Sequence, residues 1–109
     1  MAVYMAEADV SGAAAYGSVM VNIPFMPKRI TVILMDTGTD DAYVSLDGTN
    51  DHGHLVPNTP SAGLIFEQAI MAAAGFPVGS PGGATVAVVH LRRGAAGAAP
   101  TNVQVIAEA

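Results

Sequence analysis

Apolar and polar positions alternate along much of this chain, and the alternation predicts strands. Val19, Val21 and Ile23 stand two apart and are bounded by Pro24 and Pro27. Residues 29–35 (RITVILM) are β-branched-rich and apolar at both parities, as expected of a strand inside a sheet or under a second layer. Ala42, Val44 and Leu46 share one face, Tyr43 and Ser45 the other, and Asp47-Gly48 supplies the turn that follows. Residues 49–62 are polar and hold Pro57 and Pro60, so a long loop with a short strand near 54–56 is expected. Residues 63–73 are read as strand throughout, although QAIMAA has the composition of a helix. A strand over 84–91 and a closing strand over 102–107 are separated by the connector GAAGAAP. Seven or eight short strands with turns between them predict an all-β fold, a jelly-roll-like β-sandwich.

The first sixteen residues are Ala-rich with Ser11-Gly12 at their middle. They are expected to form an extended N-terminal arm, leaving 17–109 as a single sandwich domain. Tyr4, Met5, Val10 and Tyr16 would give such an arm apolar side chains to bury on a neighbouring subunit.

Composition narrows the functional classes. Only 12% of residues are charged while 51% are hydrophobic, which leaves a charge-poor surface better suited to burial between neighbours than to open solvent. No apolar run approaches the roughly 18 to 20 residues of a membrane span. The net charge of −5 offers no basic stripe for nucleic acid. All four cations fall in two dyads, Lys28-Arg29 and Arg92-Arg93, which read either as solvated strand ends or as anchors for an acidic partner. With no cysteine, disulfides and thiolate metal sites are excluded. The N-terminal residues lack the basic and long apolar regions of a signal peptide, so cytoplasmic synthesis is the expectation.

Chemistry-bearing residues concentrate in 31–55, which holds Asp36, Asp40, Asp41, Asp47, Asp51, His52 and His54. Asp36-Thr37-Gly38 after Ile33-Leu34-Met35 resembles the active-site loop of retroviral-type aspartic proteases, and Asp40-Asp41 extends the resemblance. That resemblance implies a homodimer whose two Asp36 carboxylates share a proton and activate water. The late apolar pair followed by Gly that this family carries is missing, since 86–91 (VAVVHL) has no Gly before Gly94. Asp47, Asp51, His52 and His54 are the candidate metal ligands, with both rings of His-x-His on one strand face. The same residues serve equally as turn caps and loop hydrogen-bonders, and that reading is favoured. No cofactor, no nucleophile motif and no phosphate loop is read, and an enzymatic role is not expected.

Residues 29–36, then AYVSLDGTN over 42–50, then HGHLVP over 52–57, resemble small structural proteins of tailed-phage virions. The resemblance covers about residues 28–70. It implies a capsid-cementing or decoration protein, or a head–tail connector or tail component, present in the virion in repeated copies. The implied partners are the major capsid protein, other virion proteins and copies of itself as a trimer or hexamer, with neither nucleic acid nor membrane. The partner-contacting residues expected on this reading are Tyr4, Met5, Val10, Tyr16, Lys28, Arg29, Arg92 and Arg93.

Overall fold

Alternating positions become paired strands because each buries one parity against a second sheet. The computed structural model describes residues 3–35, 41–55, 63–74, 87–94 and 101–109. Among the described residues there are eight strands: β1 (Val3–Asp9), β2 (Val19–Ile23), β3 (Arg29–Leu34), β4 (Ala42–Ser45), β5 (Gly53–Leu55), β6 (Gly63–Glu67), β7 (Ala87–Arg93) and β8 (Asn102–Glu108). A helix, α1 (Gln68–Ala73), follows β6. The fold is all-β, as the alternation predicts.

The strands form two four-stranded antiparallel sheets. Sheet A has the order β1-β8-β3-β6 and sheet B the order β2-β7-β4-β5. Pairing is nested: β1 with β8, β2 with β7, β3 with β6 and β4 with β5. Two further ladders, β8 to β3 and β7 to β4, join these hairpin layers into sheets. β3 therefore lies inside sheet A, as its apolar residues at both parities require.

The core between the sheets takes Ile30, Val32 and Leu34 from β3, Val89 and Leu91 from β7, and Val103, Val105 and Ala107 from β8, all nearly inaccessible. Val21, Ile23, Val44, Leu55 and Phe66 complete it from the remaining strands. Met71 is the buried side chain of α1.

Three sequence expectations need correction. The segment read as an arm contributes β1, which pairs with β8 at seven positions from Val3 to Asp9. Its inward parity is Tyr4, Ala6 and Ala8, which pack against the core, and two of those three are Ala, so the alternation is muted in the sequence. The sandwich therefore begins at Val3 rather than at Gly17. Second, 68–73 is helix, not strand. β6 runs along β3 only as far as Arg29↔Glu67, and the chain before Arg29 is Pro27-Lys28. Proline has no N–H to donate, so the ladder stops there and Ala-rich propensity takes over. Third, β7 extends through Arg93, so the second basic dyad lies within a strand and not beyond one. The expected strand positions 84–86, like Asp36-Thr37-Gly38, lie outside the described residues.

Two outcomes follow. Ile30→Ala removes a fully buried side chain from the centre of sheet A and is expected to lower unfolding free energy by about 3 kcal/mol, read by urea denaturation. Deleting residues 1–10 removes a whole edge strand with its core contacts, so it is expected to abolish the cooperative thermal transition. Removal of a mere arm would leave that transition in place.

Candidate functional site

The outer face of sheet B gathers most of the polar side chains that the sequence singles out. Cross-strand register puts Tyr43 of β4 between Arg92 of β7 and His54 of β5. The Tyr43 and His54 rings stack with centroids 4.4 Å apart and planes 1° from parallel. The Arg92 guanidinium sits 4.1 Å from the Tyr43 centroid. Since β7 and β5 flank β4 on opposite sides, the two ring faces of Tyr43 are covered by a cation and an imidazole.

Two loops are fastened to this ladder. Arg92 holds Asp51 of the β4–β5 loop through Nη2 to Oδ2 at 2.9 Å and Nε to Oδ1 at 3.3 Å, a bidentate fork. Tyr16, from the loop between β1 and β2, donates its hydroxyl proton to the same carboxylate and lies 5.4 Å from the Arg92 guanidinium. Hydrogen bonds from Arg92 and then Tyr16 hold the Asp51 carboxyl below its ordinary range. Burial first, then the Asp51 carboxylate, pushes the Tyr16 phenol far above its ordinary range. At the other end, His54 Nε2 lies 2.7 Å from the Asp41 carboxylate.

The S-x-D-G segment is a self-contained turn. Ser45 Oγ accepts from the Gly48 N–H at 2.8 Å and the Asp47 N–H at 3.3 Å, and donates to Asp47 Oδ1 at 2.9 Å. Asp47 in turn accepts from the N–H groups of Thr49 and Asn50, both at 2.8 Å, and from the Asn50 side-chain amide. The Asn50 and Thr49 backbone donors hold the Asp47 carboxyl well below its ordinary range. His52 Nδ1 accepts from the Leu46 N–H at 3.0 Å, which leaves the ring proton on Nε2, the side facing Asp47. Gly48 has φ of 83°, and a Cβ there would meet His90 Nε2 at 3.1 Å. The turn thus folds back against β7.

These geometries sort the sequence candidates. Asp47, Asp51, His52 and His54 do not converge: the first caps a turn, the second binds Arg92, the third binds backbone and the fourth stacks on Tyr43. Among the described residues no group of three or more His, Asp or Glu is placed to hold a metal ion. Ser45 has its proton and lone pairs engaged in the turn and is fully buried, so it is not poised as a nucleophile. His90, read from sequence as a satisfied or edge histidine, keeps its Nδ1 buried with no hydrogen-bond partner among the described residues.

The expected partner contacts divide by strand parity. Val10 is fully buried and Arg93 nearly so, facing inward one position after outward-facing Arg92. Neither is a surface contact, and the Arg92-Arg93 dyad is not a single patch. Tyr4 is half-buried against the core, Tyr16 is bound to Asp51, and Met5, Lys28 and Arg29 stand on the surface at sheet A. Tyr43 is the site residue that sequence reasoning missed, and Asp41, singled out there only with Asp40, proves to be the partner of His54. The signal for Tyr43 was its outward parity in β4, which makes it the cross-strand neighbour of whatever flanks that strand. Comparison with protein-family models, with curated proteins and with solved structures finds no match for this chain.

Acid stability tests the carboxylate assignments. Folded-state pKa values of Asp47 and Asp51 are depressed, so their contribution is fully present above about pH 4 and is lost as pH falls through the lowered values. Asp47→Ala is expected to be less stable than the parent at pH 7 and to lose less between pH 5 and pH 2, read by urea midpoints across that range. Gly48→Ala meets both the left-handed backbone and the His90 ring, and is expected to cost about 1 to 3 kcal/mol. Gly12→Ala, where the added methyl meets nothing within 4 Å, serves as the control.

Proposed function

We propose that this protein is a structural virion component that cements or decorates a tailed-phage capsid through protein–protein contacts. The observation that carries the reading is the surface of the sandwich. Val3, Met5, Ile65 and Ile70 are each more than half exposed, and Met20 and Met35 nearly so, on a chain with only 12% charged residues. Apolar side chains left out of the core at this density suit a subunit that other proteins cover. The nested strand order supports the jelly-roll form of the sandwich, an architecture shared by viral capsid and lectin domains.

In this reading the outer face of sheet B is a rigid, self-satisfied surface, and binding energy comes from apolar area on other surfaces. Each contact is weak alone and becomes firm when many copies are arrayed on one shell. The partner is the major capsid protein, and the protein resides in the virion after synthesis in the host cytoplasm.

Co-sedimentation with purified heads of the tailed phage that encodes the chain tests this directly. The protein is expected to pellet with the heads and to saturate at a fixed number of copies per head. Full retention in the supernatant at about 50 µM, well above the micromolar affinity of a useful cement, would rule the reading out. Ile70→Lys, which replaces an exposed apolar side chain on α1 with a charge, is expected to reduce pelleting at least about fivefold if α1 is in the contact.

A further inference from the structure

We infer that the outer face of sheet A is the interface of a twofold homodimer, with a second copy of this chain laid face to face upon it. The inference does not depend on the virion reading, for which Ile70 on α1 lies outside the paired rows and stays exposed when Val3, Met5 and Ile65 are covered by the second copy. Cross-strand register arranges the outward side chains of sheet A in rows that cross all four strands. One row runs Val3, Glu108, Arg29, Glu67 from β1 to β6, and the next runs Met5, Ile106, Thr31, Ile65. A third runs Glu7, Gln104, Ile33, Gly63. The middle row is apolar apart from Thr31, and its two ends, Met5 and Ile65, are 58% and 59% exposed.

A twofold axis along the strands, passing between β8 and β3, lays β1 over β6 of the second copy and β8 over β3. Rows then face themselves in reverse order. Glu108 meets Arg29 of the other copy and Arg29 meets Glu108, so the intrachain Arg29–Glu108 pair at 3.7 Å becomes a ring of four alternating charges. Met5 meets Ile65, Ile106 meets Thr31, and Glu7 meets Gly63. No like charges are opposed anywhere in the three rows. The other in-plane axis, across the strands, sets Val3 against Glu7 and Arg29 against Ile33, with no charge pair formed. Aligned sheet packing turns the strands by about 30°, which preserves the pairing at the centre and loosens it toward the corners.

The sheet B face does not offer this. Its central row is Arg92, Tyr43 and His54, a cation and two ring side chains stacked on one another, with no apolar row to lay against a copy. Four strands by five residues give sheet A a footprint of about 300 Å² in projection, against about 800 Å² per partner in a standard interface. The dimer is therefore weak, with a dissociation constant on the order of 100 µM.

Sedimentation equilibrium of the full chain tests it, since a dimer has twice the 11.0 kDa mass of the chain. Met5→Lys and Ile65→Glu are each expected to weaken association at least about tenfold, and the double variant to return within about threefold of the parent. Residues 5 and 65 lie on opposite edges of one sheet, three strand spacings or about 14 Å apart, so rescue arises only between copies. A monomeric parent at about 1 mM, single variants that dimerise like the parent, or a double variant no better than the singles would each overturn the assignment. Both positions are exposed, so circular dichroism is expected to show an intact fold. If either single variant fails to fold, the reversed pair Met5→Glu and Ile65→Lys carries the same expectation and the same refutation.

Discussion

Everything in this molecule depends on the last strand. β8 lies between β1 and β3 and hydrogen-bonds to both, so the chain's end joins its beginning to its middle. Without it, sheet A separates into a lone edge strand and a β3–β6 pair, and sheet B loses the apolar surface it packs against. Val103, Val105 and Ala107 are all inaccessible, so the closing strand delivers core as well as hydrogen bonds. Nested pairing of the first strand with the eighth and the second with the seventh makes most contacts distant in sequence. Loop closure must precede most of the reward, which makes slow, cooperative folding the physical expectation.

The ends of the sandwich are closed by polar groups that serve β8 and its neighbours. Asp9 accepts from the N–H groups of Ser11 and Thr101, and Val10 donates to the Thr101 carbonyl, so the turn after β1 and the entry to β8 are tied at one point. These backbone donors hold the Asp9 carboxyl below its ordinary range. Arg93 turns inward beneath the same loop, and its backbone N–H donates to the Ala13 carbonyl at 2.7 Å. Charge is scarce in this chain, and much of it is spent on loop ends and not on solvation.

How much was legible in the sequence follows from side-chain size. β2, β4 and β8 were readable because Val, Ile and Leu recur at one parity, and β3 because its β-branched run is apolar at both. β1 was not, because Ala6 and Ala8 bury too little area to signal a face, and an Ala-rich terminus looks like an arm. The change from strand to helix at Gln68 was hidden for another reason: it is set by where β3 begins, through Pro27 and Lys28, some forty residues earlier. The S-x-D-G turn was legible as a turn, since Ser, Asp and Gly each have local backbone chemistry that needs no tertiary context. The ladder of Arg92, Tyr43 and His54 was not, because only register brings three strands from 43, 54 and 92 into one row.

The two outer faces divide the work. On sheet B, a cation, an aromatic ring and an imidazole lie in a row whose charges find partners within one chain, and the loops bearing Tyr16 and Asp51 are pinned as a result. A face satisfied in this way is stiff and has little to gain from a partner. On sheet A, Arg29 bridges Glu67 and Glu108, while Met5, Ile106 and Ile65 occupy the adjacent row. Polar groups there bridge three strands, and Met5 and Ile65 at the two ends of the apolar row are each more than half exposed. That asymmetry, written by strand parity alone, gives this small sandwich one outer face whose charges are paired within the chain and another that sets exposed apolar side chains beside a charge cluster.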